Sequence, residues 1–165
     1  NHKSNLGYDN AIETGFKKAL ELGYRYVITF DADGQHDYND LNLFYNKLKE
    51  GNKFVIGKRI NFQRFGEYVF SLYSKKFYGI NDPLCGFKGY DIEIYRENGC
   101  FNSYNSIGTE LMFYCLNYKY KFCEISISIN KRDDNSKFGG VFKSNFKIIV
   151  ALIKTIYFNF FKKNK

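Results

Sequence analysis

Arg25-Tyr26-Val27-Ile28-Thr29-Phe30-Asp31-Ala32-Asp33-Gly34-Gln35-His36 is the stretch from which the fold reads outward. Its first half is a short apolar run rich in β-branched and aromatic residues, which predicts a buried strand. Its second half sets two carboxylates two residues apart at the strand's carboxyl end, just before a glycine. Oxygen ligands in that arrangement suit Mg²⁺ or Mn²⁺, and Mg²⁺ is commonly held by one or two carboxylates together with substrate phosphates. Asp and Gly also serve ordinary turns for backbone reasons. The length of the hexapeptide and its place after an apolar strand favour the metal-site reading.

The flanks agree. Residues 9–22 predict an amphipathic helix, with Ile12, Phe16, Ala19 and Leu20 at helical spacing, Lys17, Lys18 and Glu21 outward, and Gly23 as the stop. A helix feeding a short strand is half of an α/β unit, and ligands in such sheets gather at the strands' carboxyl ends. Residues 38–50 predict a second helix, closed by Gly51. Residues 53–57 predict a second strand, which ends at Lys58 and Arg59. The two strand ends, one acidic and one basic, match a metal ion with bound phosphates.

Farther along, residues 66–79 predict a helix with Tyr68, Leu72 and Phe77 toward the interior. Residues 81–90 carry Pro83, Gly86 and Gly89, which rule out a long helix and predict a loop bounded by Asp82. Such a loop is either functional or a plain connector. A helical turn is expected over 91–98, then a helix from Glu110 to about Tyr118 with Thr109 as N-cap. Glu110 in a first turn has an ordinary explanation, because carboxylates favour helix N-termini. Residues 121–129 alternate as a strand, and 130–140 form a polar loop containing Lys131, Arg132 and Lys137. The segment 142–161 is apolar and aromatic but interrupted by Lys154. It is too short and broken to cross a bilayer, which takes about 20 apolar residues, and suits either the membrane interface or packing on the sheet.

Composition narrows the function classes. The chain has 165 residues, 44% hydrophobic and 20% aromatic, enough for one domain with a real core. Its net charge of +8 favours anionic partners such as a phosphorylated substrate, a membrane surface or nucleic acid. Nucleic acid is disfavoured, since no zinc finger, RRM-like aromatic motif or basic helix is present. The four cysteines, at 85, 100, 115 and 123, form no Cys-x-x-Cys pair and read as buried free thiols in a reducing compartment. The chain opens on Asn1 without a signal peptide, and reads as a piece of a longer polypeptide.

Taken together, Asn5 to Ala11, Gly15, Ala19, Asp31 to His36 and Ile56-Gly57-Lys58-Arg59 resemble the family 2 glycosyltransferases. The closest likeness is to their dolichol-phosphate mannose synthase and polyprenyl-phosphate glycosyltransferase branch. Asp82 with Cys85-Gly86-Phe87-Lys88, Gly108-Thr109-Glu110, Glu124 to Ile127, Lys131-Arg132 and Ser136-Lys137 continue the likeness in order, over roughly residues 5–140. It departs at the start, where family members carry a strand and an acidic pair that hold the nucleotide, none of which precedes Asn1 here.

The resemblance implies an α/β GT-A fold, a Rossmann-like sandwich whose mostly parallel or mixed sheet is flanked by helices. It implies a partial catalytic domain over 1–141 and an interfacial helix with a basic tail over 142–165. The implied reaction is inverting transfer from a nucleotide-sugar donor to a polyprenyl-phosphate acceptor, or to a sugar hydroxyl of a surface glycan. The donor diphosphate would sit on Mg²⁺ or Mn²⁺ held at Asp33, with Asp31 joining the metal set and lying close to the nucleotide or sugar. Gln35 would orient the acceptor phosphate or the metal's water shell, and Arg59, Arg132 and Lys137 would contact phosphate. Asp82 and Glu110 are the candidates for a catalytic base if the acceptor is a hydroxyl. The implied place is cytoplasmic and peripheral, at the inner face of the cell membrane.

Overall fold

In a computed structural model of the chain, residues 4–31, 36–60, 62, 64–128 and 140–162 are described. The elements are α1 (Tyr8–Glu21), β1 (Tyr26–Thr29), α2 (Asp40–Lys49), β2 (Phe54–Lys58), α3 (Phe65–Tyr78), β3 (Lys88–Asp91), α4 (Ile92–Asn98), α5 (Glu110–Asn117), β4 (Phe122–Ser126) and α6 (Val141–Lys162). They make a four-stranded mixed sheet in the order β1-β3-β2-β4, flanked by helices. The architecture is α/β, consistent with the GT-A expectation.

The sheet explains where the site must lie. β1 and β2 each pair antiparallel with β3, so they run in the same direction, and β4 lies parallel to β2. Thr29 and Lys58 therefore end at the same edge, and Asp31 and Arg59 follow them there. The strand β3 inserts between the two, with Lys88 opposite both Thr29 and Ile56. The glycine-rich loop expected over 81–90 thus ends in an interior strand. Its Gly89 faces α2, where an added β-carbon would meet Leu48 at 3.1 Å.

The core is aromatic. Phe16 stacks on Tyr95 and Phe101, and Phe44 stacks on Phe87 at 3.9 Å between ring centroids. Phe54, Phe70, Tyr90 and Phe113 are fully buried with them.

One sequence expectation fails. Tyr68, Leu72 and Phe77 of α3 are exposed, and the buried face is instead Gly66, Glu67, Phe70, Ser71 and Ser74. Small residues there let α6 approach closely: a β-carbon on Gly66 would lie 3.1 Å from Ile148. The Gly66 N–H donates to Asn145 Oδ1 at 2.8 Å, which fixes the start of α3 to α6. Thr109 stands at the N-cap position of α5 as expected, but its side chain makes no cap hydrogen bond. Ser106 Oγ accepts from the N–H groups of Thr109 and Glu110 in its place.

The helix α6 buries Ser144, Ile148, Ala151, Leu152 and Thr155 against the body of the fold. Tyr78, Asn117 and Asn159 close a hydrogen-bonded triangle that joins α3, α5 and α6. The opposite face of α6 is apolar and bare, with Phe142 92% and Phe146 71% exposed. Among the described residues no helix is long and apolar enough to cross a membrane.

Candidate active site

Asp31 emerges from β1 and lies flat on the loop that precedes β3. A β-carbon on Gly86 would be 2.0 Å from Asp31 Oδ2, so the backbone at 86 must be glycine for the carboxylate to rest there. Thr29 Oγ1 donates to the Gly86 carbonyl at 2.7 Å and ties the same loop to β1. The Gly57 N–H donates to the Phe87 carbonyl at 2.9 Å and ties it to β2. Gly57 is confined as well, with Ile127 and the Cys85 sulfur at 2.8 and 3.0 Å from where its β-carbon would sit.

His36 braces the carboxylate from the other side. Its Nε2 is 3.5 Å from Asp31 Oδ2, and its buried ring packs against Phe30 and Phe87. The interaction with His36, with the positive charges of Lys88 and Arg59 behind it, holds the Asp31 carboxyl below the usual range despite partial burial. Asp31 is therefore ionised at neutral pH, as a hard-cation ligand must be.

Lys88 had no assigned role in the sequence beyond its part in the motif. It is buried in β3, 4% exposed, and its Nζ donates to the Gly108 carbonyl at 3.1 Å. Burial pulls its amine down to about 8, against the opposing pull of Cys85, Asp82 and Asp31. Asp9, in the first turn of α1, is raised by burial, and its Oδ1 has no hydrogen-bond partner among the described residues. No spacing in the sequence marks Lys88 or Asp9, since both depend on the fold to reach this edge.

The two candidate bases are both engaged. Asp82 is 0% exposed; its Oδ2 accepts from Arg59 Nε at 2.6 Å and its Oδ1 from Arg59 Nη2 at 2.9 Å. The Arg59 backbone N–H adds a third bond at 3.1 Å. Glu110, 4% exposed, turns back to the Ser103 N–H and hydroxyl and holds the loop before α5. The structure thus brings Asp31, Arg59 and Asp82 to one edge of the sheet, with Glu110 at the start of α5 bonded to the loop ahead of it. Asp33, Gln35, Arg132 and Lys137 lie outside the described residues. Among the described residues no group of three or more His, Cys, Asp or Glu side chains could hold a metal. The ionised Asp31 carboxylate at the strand end fits a hard divalent cation in charge and donor type.

The chain is similar to known proteins along the same stretch. Residues 1–100 match the family model described as glycosyl transferase family 2. A UDP-N-acetylglucosamine–dolichyl-phosphate N-acetylglucosaminyltransferase of Methanococcus voltae is 42% identical over 60 residues, 36% of this chain and 24% of the relative. An uncharacterised protein of Methanocaldococcus jannaschii is 35% identical over 111 residues, 58% of this chain and 48% of that protein. A second uncharacterised protein of the same organism is 26% identical over 167 residues, 92% and 69% of the two chains. The chain thus spans no more than about half the length of the first two relatives. With the match covering well over half of its residues, and the strand-end aspartate seated as described, the chain belongs to glycosyl transferase family 2.

Proposed function

We propose that the chain carries the transfer site of an enzyme that moves a sugar from a nucleotide-sugar donor to the phosphate of a polyprenyl phosphate, with inversion at the sugar carbon. The observation that carries this reading is the engagement of both candidate bases, Asp82 by Arg59 and Glu110 by Ser103. A hydroxyl acceptor needs a carboxylate that can take its proton. A phosphate oxygen is already ionised and needs none. The name of the Methanococcus voltae relative, a dolichyl-phosphate transferase, points the same way.

The acceptor phosphate oxygen attacks the sugar's anomeric carbon from the face opposite the diphosphate. The bond to the diphosphate oxygen breaks, and the nucleotide diphosphate leaves with its electron pair. Family 2 enzymes generally use a divalent metal; Asp31 and Asp33 would hold Mg²⁺ or Mn²⁺ here, and the ion would supply positive charge to the leaving diphosphate. Among the chain's own groups, Gly86 and His36 hold Asp31 in place, while Lys88 and Arg59 supply positive charge at the same edge. Gln35 would orient a phosphate or the metal's water shell, and Arg132 and Lys137 would contact phosphate.

The bare face of α6 and the exposed Phe65, Tyr68 and Leu72 of α3 suit a lipid surface, and the +8 charge suits anionic headgroups. These features support a peripheral position on the cytoplasmic face of the membrane, beside the lipid acceptor. The test is transfer from radiolabelled UDP-N-acetylglucosamine to dolichyl phosphate, set against transfer to an oligosaccharide. Label extracted with the lipid supports the reading, and label found only on the oligosaccharide refutes it. In that case Asp82 or Glu110 would be the base.

A further inference from the structure

Arg59 lies between two buried carboxylates from different elements. Asp82, in the loop before β3, takes its Nε and Nη2 side by side at 2.6 and 2.9 Å. Glu67, on α3, lies 3.2 Å from the same Nη2 and takes Arg64 Nη1 at 2.8 Å with its other oxygen. Both carboxylates are at most 3% exposed. Desolvating two carboxylates beside the guanidiniums of Arg59 and Arg64 is costly, and tying β2 to the loop would require only Asp82. The side-by-side pairing fixes the plane of the guanidinium and its rotation about the Cδ–Nε bond. The opposite edge of the fork is thereby turned away from Asp82. Arg59 follows β2 at the same sheet edge where Asp31 follows β1, which is the edge assigned above to the phosphates.

We propose that Asp82 and Glu67 are positioning residues that hold Arg59 in the one orientation in which it takes a ligand phosphate. This rests on the reading of a phosphate-bearing acceptor. Asp82 keeps its carboxylate on Arg59 throughout, and no proton passes to it. Glu67 sets the same guanidinium from the surface helix α3, whose outer face carries Phe65, Tyr68 and Leu72. A lysine at 59 would keep the charge and lose the fixed fork.

The test is calorimetry of the whole chain with farnesyl phosphate, with farnesol as the uncharged control. The expected result is binding of farnesyl phosphate well above that of farnesol. Arg59→Lys and Asp82→Asn should each weaken it roughly tenfold, the effect of one charged hydrogen bond. The double variant should be no weaker than Arg59→Lys alone, since Asp82 acts through Arg59. Glu67→Gln, on a separate element, carries the same direction and stands in if Asp82→Asn does not fold. Affinity unchanged in Asp82→Asn and Glu67→Gln, with only the melting temperature lowered, would overturn the proposal. So would losses that add in the double variant. A wild type that binds farnesol as well as farnesyl phosphate instead removes the acceptor reading itself, and this proposal with it.

Discussion

The carboxylate of Asp31 rests on the α-carbon of Gly86, with Oδ2 only 2.0 Å from where a β-carbon would stand. Two segments 55 positions apart in sequence therefore define one ligand position. Gly86→Ala should displace Asp31 or push the loop off β1, where Thr29 holds it at 2.7 Å. The expected cost in stability is about 1–3 kcal/mol, as for other overpacked sites. Binding of Mn²⁺ with a nucleoside diphosphate should fall by more than that loss of folded protein explains. Denaturant melts and calorimetry on the same samples check both parts.

Lys88 gives a pH signature. Its amine is pulled down to about 8 in the fold from an ordinary value of 10.5, by burial. The unfolded chain holds that proton more tightly, so burying the charged amine costs stability in full below about pH 8. The cost is relieved as pH rises from about 8 toward 10.5. The Cys85 thiol, pushed up to about 12 by burial, contributes the opposite slope above pH 9. The comparison is therefore between wild type and Lys88→Met at each pH. Urea unfolding from pH 7 to 10 should show the wild type gaining on the variant as pH rises.

The outer stripe of α6 makes a third expectation. Phe142, Phe146 and Phe160 share one face of the helix, and all are exposed. Replacing the three with serine should lower partition onto anionic lipid vesicles at least tenfold, since each buried Phe contributes about 1.5–3 kcal/mol. The melting temperature should hardly move, because the face that packs on the fold is Ile148, Ala151 and Leu152. Vesicle cosedimentation beside a thermal melt separates the two.

How much of this was legible in the sequence depended on where the information lay. The apolar run 26–29 and the acidic turn after it are local, and both the strand and the placement of Asp31 at its end came through. The strand β3 did not, because Lys88-Gly89-Tyr90-Asp91 has neither alternation nor an apolar run. Its central position follows from a lysine that finds a carbonyl at Gly108 and a glycine that admits Leu48. The face of α3 was inverted for a related reason. Its aromatic residues suggested an interior, whereas Gly66, Ser71 and Ser74 are buried because α6 and the turn at Ile80 need close approach and hydroxyl donors there. At the site, Arg59 was legible as a phosphate contact and Asp82 as a candidate base. That they spend their charges on each other is a property of distance in space, which no spacing in the chain records.

The most direct measurement is calorimetry of UDP with Mn²⁺, for the wild type and for Asp31→Asn. If the strand-end aspartate is the metal–diphosphate end of a sugar-transfer site, UDP binds the wild type only when Mn²⁺ is present, and the variant shows no metal-dependent heat. Identical heats for the two proteins would contradict the account.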